Sequence, residues 1–308
     1  MKNSIAVCSR SFSKNIILRN ELLALFPKVT FNDEGLELSG DSLIQFLKGH
    51  EKAIIALEKI DFNILSNLPE LKVISKYGVG LDMLDLYALR KFGIRLGWEG
   101  GVNKRSVAEL VIGFAIMLLR QLNICNTEVR SGIFKQKVGA QLSEKTFGII
   151  GCGNVGKDLV KLLSPYNCKI LVYDIEDYKE FYTKYGVIST TIEELLKLSD
   201  IISIHLPLNE KSKNFIDAKK IALMKPSAYL INTARGGIVD EIALKNSLLN
   251  GLLAGAAFDV FSPEPPTDLE LLNLPNFFST PHIGGSSKEA ILAMGRSAIK
   301  GLEENELL

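Results

Sequence analysis

Histidine, cysteine and concentrated charge are all scarce in this sequence. Lysine and arginine number 36 against 35 acidic residues, a net charge of +1, and no run of five or more basic residues occurs. A nucleic-acid or anionic-membrane surface needs a concentrated positive field, so neither partner is expected. The four cysteines, Cys8, Cys125, Cys152 and Cys168, form no CxxC pair and no disulfide-framework spacing. That suits a reducing compartment in which cysteine serves as a small apolar residue, and no metal site is expected. The opening "MKNSIAVCSRSFSK" carries too short an apolar stretch for a secretory signal. The longest apolar run, "LVIGFAIMLL" at 110–119, is half of the roughly 20 residues that span a bilayer, so it reads as a buried helix. A cytoplasmic protein is the expectation. No internal repeat, low-complexity tract or proline-rich linker marks a boundary.

What is present is a chain of 308 residues, 47% hydrophobic and 23% charged, ordinary for a globular protein and long enough for two domains. Short β-branched runs alternate with helical stretches. "SIAVCS" (4–9), "KVTFN" (28–32), "AIIAL" (53–57) and "LKVISKYGVG" (71–80) are strand-like. A second series follows: "TFGIIG" (146–151), "CKILVYD" (168–174), "DIISIHLP" (200–207), "AYLINTA" (228–234) and "LAGAAFDV" (253–260). Continuous apolar runs of this length fit strands buried on both faces of parallel sheets. The fold class is therefore α/β, two doubly wound domains, with one helical stretch at 106–132 between the series. The last twenty residues read as helix with no strand to follow, and packing them back on the first domain makes that domain discontinuous.

"GIIGCGNVGKDLVKLL" places GxGxxG directly after a buried strand and at the start of a helix. Gly151 allows the tight turn, Gly153 lets backbone approach a pyrophosphate, and Gly156 permits close strand–helix packing. The next strand ends in Asp174, eighteen residues beyond Gly156, where a carboxylate accepts from the adenosine ribose hydroxyls. Ile175, Glu176 and Asp177 follow, and no basic residue comes before Lys179. That acidic surround repels a ribose 2′-phosphate, so NAD is expected rather than NADP. The same glycines also serve methyltransferases and regulatory NAD sensors, so the distinction rests on other residues.

Three later segments put polar residues just beyond strands: Arg235 in "LINTARGGIVD", Asp259 and Glu264 in "AAFDVFSPEPP", and His282 in "STPHIGG". Strand carboxyl ends share one sheet edge, which is where ligands bind. Reduction of a 2-oxo acid needs a guanidinium to grip the carboxylate, an imidazole to give a proton, and a carboxylate to orient that imidazole. A capping histidine, a surface arginine and a rigid proline turn are the blander readings of the same residues. His50, in "LKGHEKA", reads as a helix C-terminal residue complementing the dipole.

With these motifs in order, the chain resembles the D-isomer-specific 2-hydroxyacid dehydrogenases over nearly its whole length. "GIIGCGNVG", "HLPLNEKSKNFID", "LINTARGGIVDEIAL", "AAFDVFSPEPP" and "TPHIGGSS" carry the resemblance. It implies a flavodoxin-like substrate domain from 1–101 and 286–308, a Rossmann NAD-binding domain at 102–285 inserted in it, and an active site in the cleft. It also implies a homodimer built on a long helix at about 103–131. Arg235 becomes the substrate-binding arginine, Glu264 the histidine's partner and His282 the acid/base. Asp259 would hold the nicotinamide carboxamide with help from Thr233 and Ala234, and Arg235, His282 and Gly284 also border the cofactor. His205, Leu206 and Pro207 would line its adenosine side. "KYGVGLD" supplies backbone amides at Gly78, Val79 and Gly80 for the substrate carboxylate, a nest geometry suited to anions.

Two departures bear on this. Asn154 and Val155 stand where the family often has an arginine, leaving the pyrophosphate to backbone amides. Trp98, Glu99 and Gly100 replace a threonine–proline–glycine turn, which opens the choice of 2-oxo acid. Lys76, Lys104 and Arg105 raise a phosphorylated substrate against the simpler reading of a solvated charged face. An NAD-gated binding protein, like the corepressors that share this fold, is the competing function.

Overall fold

Strand residues alternate between two helical layers, so buried strands need apolar side chains on both faces. The computed structural model describes residues 4–308. In chain order its strands are β1 (Ile5–Val7), β2 (Val29–Phe31), β3 (Lys52–Ile55), β4 (Val73–Lys76) and β5 (Arg95–Gly97). There follow β6 (Thr146–Ile150), β7 (Lys169–Tyr173), β8 (Ile188–Ser189), β9 (Ile201–Ile204), β10 (Tyr229–Asn232), β11 (Gly255–Phe258), β12 (Phe277–Ser279) and β13 (Glu306–Leu307).

The chain divides into two units, one formed by 1–103 and 287–308 and the other by 104–286. The first holds a sheet of order β13-β5-β4-β3-β1-β2, and the second a parallel sheet of order β12-β11-β10-β9-β6-β7-β8. In each, the order reverses beside the first strand of the series, at β1/β3 and at β6/β9. In doubly wound sheets that switch point opens a crevice at the strand carboxyl ends. Within β9, Ile202 and Ile204 enter one apolar cluster with Leu230 and Phe258, while Ile201 enters the other with Phe147 and Ile231. Each such side chain, fully buried, contributes roughly 1.5–3 kcal/mol.

Several boundaries differ from the sequence expectation. The apolar run at 71–80 stays in the sheet only to Lys76, because Gly78 leaves it at φ +128°. The stretch at 106–132 is not one helix but two, Lys104–Leu119 and Leu122–Arg130, bent by 61° at Gln121, whose φ is +52°. Neither is long and apolar enough alone to cross a membrane. The carboxyl-terminal residues do have a strand: after the helix Lys288–Gly301, β13 pairs antiparallel with β5. That helix packs in the first unit, where Ser75 Oγ donates to the Ala298 carbonyl at 2.6 Å. A Cβ on Gly97 would lie 2.1 Å from the Gly301 carbonyl oxygen, so the contact requires glycine. His50 lies just beyond the helix Gly40–Leu47, its amide donating to the Leu47 carbonyl at 3.1 Å and its Nε2 bonding Thr30 Oγ1 at 2.9 Å.

Candidate active site

The switch point of the 104–286 unit begins at β6. Gly151 leaves the strand at φ +95°, and a Cβ there would stand 2.7 Å from the His205 carbonyl oxygen. Gly156, in the first turn of the helix Asn154–Leu163, passes so close that its Cβ would be 2.3 Å from the Gly151 carbonyl oxygen. Gly153 differs: a Cβ there meets nothing within 4 Å, and as the helix N-cap it supplies no side chain to the leading amides. Those amides lack intrahelical acceptors, and the helix dipole is positive at this end. Two glycines are thus required by packing, and the third borders open space at an anion-seeking helix start.

Asp174 follows β7 and reaches back to the loop. Its Oδ2 accepts from the Cys152 amide at 2.5 Å and its Oδ1 from the Glu176 amide at 2.9 Å. Burial, with Asp174 nearby, pushes the Cys152 thiol up to about 11, so it stays a neutral packing residue. On the β9 side, His205 Nε2 bonds Ser203 Oγ at 2.9 Å. Desolvation pushes this imidazole down to about 3, leaving it neutral at pH 7. Leu206 packs within 3.1 Å of the place a Gly151 Cβ would take, and Pro207 turns the chain by accepting from Ser212 Oγ at 2.6 Å.

Beyond β10 the chain makes a turn that Asn232 holds from inside. Its side chain donates to the Arg235 carbonyl at 2.9 Å and accepts from the Ala234 amide at 3.1 Å. Gly236 then presses on the next loop, where a Cβ would lie 1.9 Å from the Phe261 carbonyl oxygen. Gly237 follows at φ +77°. The glycine pair after Arg235 therefore binds its loop to the segment carrying Glu264. Thr233 Oγ1 is buried with no partner among the described residues, an orphan hydroxyl of the kind a bound group satisfies.

Glu264 and His282 meet directly. The histidine Nδ1 lies 2.9 Å from Glu264 Oε2, while Oε1 accepts from the Phe261 amide at 3.0 Å. Glu241 accepts from the Ser262 amide at 3.1 Å and steadies the same turn. Burial raises the Glu241 carboxyl, with Asp268 and Glu264 adding to the effect. His282 sits at φ +54°, a conformation costly for a residue with a Cβ unless its surroundings impose it. They do. Buried Asp259 accepts from Thr280 Oγ1 at 2.5 Å, from the Ile283 amide at 2.7 Å and from the Gly284 amide at 2.7 Å. Its own carbonyl takes the His282 amide at 2.9 Å, and Ser106 Oγ donates to the Gly284 carbonyl at 2.6 Å.

With Nδ1 engaged, Nε2 is the nitrogen left to exchange a proton, and the side chain is half exposed. The residues named from sequence in this unit thus fall on adjoining loops at the carboxyl ends of β6, β7, β9, β10, β11 and β12. Gly78, Val79 and Gly80 lie in the other unit, after β4. Ser106 escaped sequence reading because its backbone partner lies 178 residues away, and Asn232 because its bonds to Ala234 and Arg235 depend on the turn the chain makes after β10. Arg105 lies on an exposed face, its side chain 56% accessible. It pairs with buried Asp158 at 2.7 and 3.1 Å. Lys76 is buried. Among the described residues, no cluster of histidine, cysteine and carboxylates is arranged to hold a metal ion.

An orphan hydroxyl, an uncapped helix start bordered by open space, and a strand-end carboxylate together fit a dinucleotide. Comparison with known proteins agrees. A model of the NAD binding domain of D-isomer specific 2-hydroxyacid dehydrogenases matches residues 112–284. A glyoxylate reductase from Thermococcus litoralis is 36% identical over 80% of this chain and 78% of its own length. A D-3-phosphoglycerate dehydrogenase from Methanocaldococcus jannaschii is 34% identical over 90% of this chain, which spans only 54% of that relative. Among solved structures, D-lactate dehydrogenase from Aquifex aeolicus, complexed with NAD and lactic acid, superposes with a TM-score of 0.84 at 27% identity. That match covers 97% of this chain and 93% of the other. The chain belongs to the D-isomer specific 2-hydroxyacid dehydrogenase family and is an NAD-dependent enzyme.

Proposed function

We propose that the protein interconverts a D-2-hydroxy acid and its 2-oxo acid. His282 is the acid/base, Glu264 orients it, and Arg235 grips the substrate carboxylate. One observation carries this reading: an imidazole and a carboxylate 2.9 Å apart, on a loop held in the left-handed region by a buried aspartate. A capping or packing histidine calls for neither the partner nor the strain.

NAD, when bound, supplies the hydride acceptor or donor. In the oxidising direction His282 Nε2 removes the hydroxyl proton, and Glu264 at Nδ1 favours the imidazolium that results. In the reducing direction His282 returns that proton to the carbonyl oxygen. Arg235 meets a planar carboxylate with its forked donors and polarises the adjoining carbonyl. Asp174 would hold the adenosine ribose, the amides of Gly153, Asn154, Val155 and Gly156 the pyrophosphate, and His205, Leu206 and Pro207 the adenosine side. Thr233 and Ala234 would face the nicotinamide end, which Gly284 would also border. An ionised carboxylate has about four lone-pair sites. Three of Asp259's are taken by its own loop, and the last remains for the nicotinamide carboxamide.

Glyoxylate and hydroxypyruvate are the substrates we favour over a phosphorylated acid, because Arg105 is already paired with Asp158. The decisive test is NADH oxidation against a panel of 2-oxo acids, run with both cofactors. Turnover with NADH on a small 2-oxo acid supports the proposal. Tight NADH binding with no turnover on any acid overturns it in favour of an NAD-gated binding protein. The free cysteines suit the cytoplasm. We also propose that a second copy covers the exposed Val129, Phe134 and Val138, which are 55%, 92% and 95% accessible. A single-chain mass by sedimentation at micromolar concentration removes that interface.

A further inference from the structure

The loop after β4 is shaped for an anion by residues of its own unit. Gly78 stands at φ +128°, and among the described residues the amides of Gly78, Val79 and Gly80 donate to no acceptor. Lys76, buried at the end of β4, lies beneath. Its Nζ donates to the Ala56 carbonyl at 2.5 Å and comes within 3.2 Å of the place a Gly78 Cβ would take. Three adjacent amides over a buried ammonium make a concentrated positive site.

One side chain fixes which way this backbone faces. Trp98, just past β5, donates its indole Nε1–H to the Val79 carbonyl at 2.9 Å. The Val79–Gly80 peptide is trans, and in a trans peptide the carbonyl and the amide N–H point to opposite sides. With the carbonyl turned to the indole, the Gly80 N–H is committed to the other side of the loop. Without that bond the peptide is free to rotate, and an anion must pay for ordering it on binding.

We propose that Trp98 is a positioning residue for substrate binding: its indole N–H sets the Val79–Gly80 peptide so that the glycine loop presents its amides to the carboxylate of a 2-oxo acid. This rests on the function proposed above, but its test does not. Trp98 is the only tryptophan of the chain and is 43% accessible, so its fluorescence reports directly from the loop.

Oxalate is the probe, a carboxylate that cannot be reduced in place of the 2-oxo acid. In the wild-type protein it should change tryptophan emission saturably. Trp98→Phe keeps an aromatic ring and removes the N–H. By calorimetry it should bind oxalate about 5- to 10-fold more weakly, the effect of one hydrogen bond. With a reducible acid the same factor should appear in KM, with kcat and NADH affinity within twofold of wild type. Equal oxalate affinity in the two proteins overturns the proposal, as does oxalate binding to neither. A fall in kcat at unchanged KM overturns it too, because the indole would then act on the chemistry. If the wild type turns over no 2-oxo acid, the catalytic proposal fails while the oxalate comparison still decides this one.

Discussion

Two glycine turns follow strands in this protein, one in each unit, and different forces shape them. Gly151 and Gly156 are imposed by crowding, with backbone oxygens 2.7 and 2.3 Å from where Cβ atoms would stand. At Gly78 no backbone atom crowds in that way. Among the described residues the only neighbour within 4 Å of a Gly78 Cβ is the tip of Lys76, and a φ of +128° together with the Trp98 bond sets the form. A turn held by sterics has one shape and tolerates no substitution. A turn held by one hydrogen bond can be retuned by changing a single side chain, which is what a substrate loop needs if its ligand varies while the cofactor stays the same.

The largest expected effect lies outside both turns and separates chemistry from binding. His282→Gln should lower kcat by about 10²- to 10⁴-fold, the usual contribution of a general acid/base, with NADH affinity nearly unchanged by fluorescence titration. Wild-type-like turnover removes His282 from the acid/base role. Next comes the steric turn itself. Gly156→Ala places a Cβ against the Gly151 carbonyl, a clash worth about 3 kcal/mol, or roughly 100-fold in NADH affinity if the loop absorbs it. Gly78→Ala meets the Lys76 ammonium and backbone strain within its own unit, so NADH binding should survive and the KM for the 2-oxo acid should rise. Equal losses of NADH binding in the two variants would erase the contrast between the turns.

That contrast also explains what could be read in advance. Gly151, Gly156, Asp174, Glu264 and His282 stand out in sequence because steric or chemical necessity ties each residue type to its position. Trp98, Asn232 and Ser106 act by hydrogen bonds to backbone carbonyls, which any folded chain offers at any position, so their partners become visible only when the chain is folded. The short strands β5, β8, β12 and β13, of two or three residues each, show no periodicity from which to read them. The bend at Gln121 was missed because neither glycine nor proline marks it. Tertiary packing decided these features, and local propensity did not.

Asp174 sharpens the comparison from the cofactor side, since its carboxylate serves two purposes. It accepts the Cys152 amide within the glycine loop, and it faces the place proposed for a ribose. Asp174→Ala should weaken NAD by about tenfold, the loss of one or two charge-assisted hydrogen bonds, and should narrow the gap to NADP, which gains from removal of a negative charge. Affinities for both cofactors measured side by side test it. If both fall together, the carboxylate only supports the loop, and the ribose contact is elsewhere.

The smallest effect concerns His205, whose carbonyl crowds Gly151 and whose imidazole desolvation pushes down to about 3 from 6.5. Between these values the unfolded chain binds a proton here that the folded chain does not, so stability rises with pH across the window. The contribution is complete above pH 6.5 and is lost as pH falls toward 3, at a slope of at most about 1.4 kcal/mol per pH unit. Ordinary carboxylates titrate mainly below pH 5, so the range from 6.5 to 5 isolates the histidines. Urea unfolding of wild type and His205→Gln at several pH values in that range compares proteins that share His50 and His282. The variant should lose stability less steeply on acidification, by up to one proton's worth of slope. Parallel curves would mean that the folded protein accepts a proton at His205 and that the steric turn is not sealed from water on that side.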